Sequence, residues 1–242
     1  MSLLKVDGVT KRFGGVTALD NVSLTVDSGE VVGVMGANGA GKTTLFAVIA
    51  GHLRPDAGAV QLRGRSIAGM PPHDICGLGL TRTFQIVRPF AGLTVHENAL
   101  VAAFYGFNGG RSRKVAERMA RDAVEIVGLA ERRHQLGGTL TLSGQKRLEV
   151  ARALATGADF LMLDEVMAGL TPTEVEEVLT MILRLRDEHG LTFLIIEHVM
   201  KALMRLSNRI VVLHHGKQIA VGAPDLIACD QHVLDVYYGG AA

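Results

Sequence analysis

The segment Gly36-Ala37-Asn38-Gly39-Ala40-Gly41-Lys42-Thr43-Thr44 follows directly on the apolar run Val31-Val32-Gly33-Val34-Met35. It reads G-x-x-x-x-G-K-T behind a buried-strand candidate, and Leu45-Phe46-Ala47-Val48-Ile49 continues it as a helix. Glycines allow consecutive backbone N–H groups to turn toward one anion without Cβ clashes. Gly36, Asn38, Gly39, Ala40 and Gly41 would form the cradle, and Lys42 could reach terminal phosphates. Thr43 could offer its hydroxyl to Mg²⁺, Thr44 stands beside it, and the following helix points its positive end at the ligand. A Gly-rich turn that merely contains Lys-Thr would not need a strand before it and a helix after it. Lys42 is expected to be a solvated donor without nucleotide, so that its loss would leave the core closed.

With 242 residues, 48% hydrophobic and 20% charged, the chain fits one substantial domain or a domain with an inserted lobe. A net charge of +1 gives no electrostatic reason to expect nucleic acid. Cys76 and Cys229 lack metal-ligand spacing and suit a reducing compartment. The first residues lack the pattern of a signal peptide, and no apolar stretch reaches the ~20 residues of a membrane helix. The expectation is a cytoplasmic chain whose connection to a membrane comes through a partner.

Val22, Leu24 and Val26 alternate with Ser23 and Thr25, and Asp27-Ser28-Gly29-Glu30 supplies a turn, so the start reads as antiparallel. Phe160-Leu161-Met162-Leu163, Phe193-Leu194-Ile195-Ile196 and Ile210-Val211-Val212-Leu213 are continuous instead, as for strands covered on both faces. Between the first two of these lies an amphipathic helix with Val175, Val178, Leu179, Ile182 and Leu183 on one face. Thr171-Pro172-Thr173-Glu174 opens it as a capping box with Pro at the first helical position. From about Thr94 to His134 the chain reads as helix. Thr94-Val95-His96-Glu97 is a second capping box, Val115, Met119, Ala123, Ile126 and Val127 fall near helical spacing, and Asn108-Gly109-Gly110 supplies a break. The expected organisation is one domain over 1–242, with residues 1–93 and 135–242 as a nucleotide-binding core and 94–134 as a helical lobe.

Phe160-Leu161-Met162-Leu163-Asp164-Glu165 is an apolar strand that ends in two acids. A carboxylate at a strand's C-terminal edge can hold Mg²⁺ directly or through water, a role assigned to Asp164. Glu165 could polarise the water that attacks a γ-phosphate.

On these residues the chain resembles the ATP-binding subunits of ABC transporters over essentially its whole length. The resemblance implies an α/β P-loop core with a mainly parallel sheet, an antiparallel β subdomain and an inserted helical lobe. It implies ATP and Mg²⁺ as ligands. Phe13, in Lys11-Arg12-Phe13-Gly14-Gly15, falls where the family stacks an aromatic on adenine. Gln85, in Arg82-Thr83-Phe84-Gln85, matches the glutamine loop that joins core to lobe and contributes to the metal and catalytic site. His198, in Ile195-Ile196-Glu197-His198, matches the switch histidine.

The family's L-S-G-G-Q signature is represented by Leu140-Thr141-Leu142-Ser143-Gly144-Gln145-Lys146-Arg147. Without a gap, Thr141 stands for Ser and Ser143 for the second Gly; with one deletion, Leu142-Ser143-Gly144-Gln145 align instead. The ungapped register is preferred, because a deletion at a helix start rotates the following face by about 100°. In either register Thr141, Ser143 and Gly144 are the candidate phosphate contacts. Thr171 replaces the aspartate of many family members and is read as a helix cap.

Arg82-Thr83-Phe84-Gln85, Leu93-Thr94-Val95-His96-Glu97-Asn98, Ile196-Glu197-His198 and Val236-Tyr237-Tyr238-Gly239 look like branched-chain amino-acid, amide and urea importers. That resemblance implies ATP hydrolysis coupled to solute movement, integral-membrane permeases, an extracytoplasmic binding protein and a second ATP-binding subunit as dimer partner, either a second copy of this chain or, as the favoured reading, a different ATPase. It places the chain on the inner face of the cell membrane through its permeases. A lipopolysaccharide-export ATPase is the nearest alternative. A non-transport ABC ATPase fits less well, since the chain carries one phosphate loop and no cysteine pairs.

Overall fold

The computed structural model describes residues 2–83, 89–107 and 109–238. In chain order the first part forms strands β1 (Ser2–Phe13), β2 (Val16–Asp27) and β3 (Val31–Met35), helix α1 (Lys42–Ile49), and strands β4 (Ala57–Leu62) and β5 (Arg65–Ser66). The middle part forms α2 (Pro72–Cys76), β6 (Leu80–Arg82), α3 (Val95–Tyr105), α4 (Arg113–Ile126), α5 (Leu142–Ala155), β7 (Phe160–Asp164) and α6 (Pro172–His189). The last part forms β8 (Thr192–Ile196), α7 (Met200–Leu206), β9 (Arg209–His214), β10 (Lys217–Gly222), α8 (Pro224–Ala228) and α9 (Gln231–Tyr238). The chain divides into two compact units, Met1–Pro72 with Gly190–Ala242, and His73–His189. No helix among the described residues is long and apolar enough to cross a membrane.

In the first unit an antiparallel sheet runs in the order β2-β1-β4-β5. Val22, Leu24 and Val26 are buried while Ser23 and Thr25 are exposed, the alternation that a one-sided sheet demands. β1 was not evident as a strand because its period of two breaks at Gly8, which lies at φ 60° within a register shift between Val6 and Val9. The same unit contains a second run of strands, β10-β9-β3-β8, in which β3 pairs parallel with both β8 and β9. Every residue of β3 and β8 is buried, so neither shows alternation. A Cβ at Gly33 would stand 2.5 Å from Ser207 Oγ and 2.9 Å from Leu203 Cδ1, so only glycine lets α7 and its C-terminal turn approach β3 this closely.

In the second unit β6 and β7 pair parallel, Leu80 with Phe160 and Arg82 with Met162. Thr94 and Glu97 make the expected reciprocal bonds at the start of α3. α4 buries Ala116, Ala120, Ala123 and Val124, while Val115, Met119 and Ile126 are only half-buried. Of the expected stripe Ala123 and Val127 are buried, whereas Ala116, Ala120 and Val124 take the buried positions in place of Val115, Met119 and Ile126, where α4 packs against α3 and α5. α6 likewise buries Val178, Leu179, Ile182 and also Met181 and Leu185, with Val175 and Leu183 at the margin of the stripe. The Thr171–Glu174 capping box is present, with Glu174 Oε2 accepting from the Thr171 N–H at 2.8 Å and the Glu174 N–H donating back to Thr171 Oγ1 at 3.4 Å.

Candidate functional site

In the first unit the phosphate loop spans β3 and α1, as the glycine spacing requires. Gly39 (φ 80°) and Gly41 (φ 104°) take left-handed backbone, and Gly41 caps α1. Ala37, Asn38 and Gly39 are exposed, and nothing stands within 4 Å of a Cβ built at Gly39. The loop is thus open at Gly39. Its closed side is braced: the Gly216 N–H donates to the Ala40 carbonyl at 3.0 Å, and a Cβ at Gly36 would meet the Leu213 carbonyl at 2.5 Å. At the start of α1 the first N–H groups have no partner within the helix and carry its positive pole.

Lys42 differs from the sequence expectation. It is 6% exposed, and its ammonium donates to the Gly36 carbonyl at 2.6 Å and the Ala37 carbonyl at 3.1 Å. The stem is long enough to fold over the loop it follows, and loop carbonyls satisfy the charge in place of water. Thr43 is exposed and Thr44 half-buried.

Two more candidates flank this loop in the same unit. Val34 pairs with Ile196, so Glu197 and His198, which follow β8, emerge at the level where β3 gives way to Gly36. His198 is exposed there and Glu197 buried. Phe13 ends β1, is 47% exposed, and has the Lys11 ammonium 5.6 Å from its ring centroid. A half-exposed aromatic at a hairpin tip can stack on a planar ring. The hairpin partner strand reaches the loop itself, since a Cβ at Gly41 would lie 2.5 Å from the Ala18 carbonyl.

The second unit holds the acids. Asp164 is 1% exposed; its Oδ2 accepts from Arg82 Nη2 at 2.6 Å, and its N–H donates to Thr83 Oγ1 at 3.1 Å. Its Oδ1 is buried with no hydrogen-bond partner among the described residues. A carboxylate oxygen left open in this way fits a water of a Mg²⁺ shell, although no cluster of three or more metal-ligating side chains exists among the described residues. Glu165 is buried, has left-handed backbone (φ 52°), and its carbonyl accepts from Lys146 Nζ at 2.7 Å. Left-handed backbone at a non-glycine residue costs about 1–3 kcal/mol and persists where the surroundings hold it.

The signature region forms the start of α5. Thr141 is its N-cap, and Thr141 Oγ1 accepts from the Gly144 N–H at 3.3 Å. Because that oxygen accepts, its own hydrogen is directed elsewhere and can donate. Ser143 is buried, while Arg147, one turn further along, pairs with Glu177 of α6. The Thr171 N–H, then the hydroxyls of Thr171 and Ser143, hold the Glu174 carboxyl below its ordinary range. Gln85 lies outside the described residues.

Arg82 and Lys146 carry geometry that sequence reasoning did not assign. Arg82 was visible only as the first letter of a motif, and Lys146 as a basic residue in a helix. Burial is what distinguishes both, and no local pattern encodes it.

The family model described as "ABC transporter" matches residues 19–168. The chain is 41% identical to the high-affinity branched-chain amino acid transport ATP-binding protein BraF of Pseudomonas aeruginosa, over 99% of this chain and 98% of that protein. It is 39% identical, with the same coverage, to the high-affinity branched-chain amino acid transport ATP-binding protein LivG of Escherichia coli. Identity to the lipopolysaccharide export system ATP-binding protein LptB of Haemophilus influenzae is 34%, over 99% of this chain and 98% of that protein. Among solved structures, the ADP conformation of MJ1267, an ATP-binding cassette of an ABC transporter, superimposes with a TM-score of 0.90 at 30% identity, covering 99% of both chains. The α/β P-loop architecture expected from the sequence is that of these cassettes, and the chain belongs to the ABC transporter family as a nucleotide-binding, ATP-hydrolysing subunit.

Proposed function

We propose that this chain energises a membrane importer of branched-chain amino acids or a closely related amide or urea solute. The observation that carries the solute class is the near-full-length identity to BraF and LivG, 41% and 39% against 34% for LptB. In this reading Phe13 stacks on adenine, and Gly36, Asn38, Gly39, Ala40, Gly41, Lys42, Thr43 and Thr44 hold the phosphates. Thr43, Asp164 and Gln85 serve Mg²⁺, Glu165 orients and deprotonates the attacking water, and His198 steadies the γ-phosphate. Bound Mg²⁺ offsets phosphate charge; the protein's share of catalysis is position and electrostatics.

Residues 94–134 act as the helical lobe toward permease subunits at the inner face of the membrane. A second, different ATP-binding subunit supplies the opposite half of each site, and this chain presents Thr141, with Ser143 and Gly144 behind it, to that partner. Ser143 and Gly144 are buried whereas Thr141 is exposed, which supports Thr141 as the hydroxyl offered outward. An extracytoplasmic binding protein delivers the solute.

The test is reconstitution with the permeases, second ATP-binding subunit and binding protein of a branched-chain amino acid transport system, in vesicles loaded with ATP. Uptake of leucine, isoleucine or valine, competed by the other two, is expected. ATP turnover that answers to lipopolysaccharide and to none of these solutes would replace the importer reading with the exporter one.

A further inference from the structure

We propose that Lys146 is a positioning residue for the hydrolytic step, holding the main chain of Glu165 in the conformation that aims its carboxylate. The inference rests on the reading of Glu165 as the base. Lys146 lies on α5, five residues beyond Thr141, and is 4% exposed. Its ammonium donates to the Glu165 carbonyl at 2.7 Å. That carbonyl belongs to a residue with φ 52°, a conformation that a glutamate does not choose unaided.

A buried ammonium is costly to desolvate, and an aliphatic residue of the same length would fill the volume without that cost. Packing alone therefore does not account for lysine here. A charge-assisted bond to a carbonyl in left-handed backbone does, because it stabilises the one turn that leaves β7 at Glu165. The scaffold behind Lys146 is itself fixed. Arg147, the next residue along α5, is tied to Glu177 of α6. Glu165 is thus held from the same helix whose N-cap, Thr141, is presented to the partner subunit in the proposed function. Since nucleotide binding does not need the base, only the chemical step should sense the loss of this contact.

The experiment compares Lys146→Met, Lys146→Arg and Glu165→Gln in the assembled transporter, measuring kcat and, separately, MgATP affinity by fluorescent-nucleotide binding. Lys146→Met keeps the stem and removes the donor. Its kcat is expected to fall about 10- to 100-fold, the scale of an ångström-sized misplacement, with ATP affinity unchanged. Lys146→Arg, which keeps a charged donor, should recover a substantial part of that loss. In a Glu165→Gln background Lys146→Met should add nothing to the loss of kcat. If Lys146→Met does not fold, Lys146→Gln, which keeps polarity but falls short of the carbonyl, is expected to give the same split.

If Glu165→Gln turns over like wild type, the assignment of the base fails. If Glu165→Gln is slow but Lys146→Met matches wild type, the inference about Lys146 fails alone. Equal losses of kcat and ATP affinity in the Lys146 variants, or full additivity with Glu165→Gln, would also overturn it.

Discussion

Arg82 Nη2 lies 2.6 Å from Asp164 Oδ2, and both side chains are almost entirely buried. The pair sits across the β6–β7 ladder, whose register sets Arg82 opposite Met162, two residues before Asp164. It neutralises the acid on one oxygen and leaves the other open. Breaking a buried pair strands a charge, so Arg82→Met is expected to destabilise the fold by about 3–5 kcal/mol in urea unfolding. Asp164→Asn retains shape and should cost less stability but remove the Mg²⁺ dependence of nucleotide affinity. A loss below about 1 kcal/mol for Arg82→Met would mean that the pair is screened by water.

Lys42→Met should weaken ATP binding by roughly 10- to 150-fold, the range for losing one hydrogen bond to a charged group. Because Lys42 also holds the Gly36 and Ala37 carbonyls, the loop loses an internal anchor, and the melting temperature of the empty protein should fall as well. Calorimetry with and without nucleotide separates the two effects. An unchanged melting temperature would show that the two carbonyl bonds carry no net stability.

Glu165→Gln is expected to bind MgATP at wild-type affinity and hydrolyse it about 10²–10⁴-fold more slowly, the usual contribution of a general base. Single-turnover measurements with radiolabelled ATP give the chemical step directly. Wild-type turnover would move the role to another group, with His198 the first to examine.

The phosphate loop, the two acids and the capping boxes were legible because each is encoded within a few consecutive residues. Glycine spacing, a strand ending in Asp164-Glu165 and Thr-x-x-Glu are local chemistry. Lys42 was misread as solvated because its partners are carbonyls of its own loop, and a sequence does not reveal how a long side chain folds back. On α4 the buried face includes Ala123 as its spacing implies, but carries Ala116 and Ala120 in place of the bulkier Val115 and Met119, because close packing selects small side chains there. Lys146 and Arg82 escaped notice because their partners are 19 and 82 positions away.

Glu174 supplies a pH prediction. Its carboxyl is held below the ordinary value of 4.5, first by the Thr171 N–H and then by hydroxyls. A depressed folded pKa contributes stability that is present above the ordinary value and lost as pH falls through the folded value. Glu174→Gln should therefore lower the melting temperature at pH 7 by more than at pH values below about 4, the two curves converging on acidification. A gap between the curves that stays constant with pH would show that the amide replaces the carboxylate bond for bond.

Gly39 and Gly41 both have left-handed backbone but differ in surroundings, and alanine separates the two effects. At Gly39 a Cβ meets nothing within 4 Å, so Gly39→Ala carries only the conformational cost, about 1–2 kcal/mol. At Gly41 the Cβ would press on the Ala18 carbonyl at 2.5 Å and Leu19 Cδ2 at 3.0 Å, in a backbone (φ 104°) still less open to alanine. The carbonyl belongs to β2 and cannot rotate away as a side-chain tip would, so Gly41→Ala must displace either the strand or the start of α1. It is expected to destabilise the empty protein by more than Gly39→Ala in urea unfolding. It should also weaken ATP binding, because the first N–H groups of α1 are re-aimed. Gly39→Ala should instead lose affinity through the new methyl group on the open side of the loop, with stability lowered only by the smaller conformational term. Equal destabilisation by the two substitutions would show that the approach of β2 to Gly41 yields without cost, and that backbone conformation alone selects glycine at both positions.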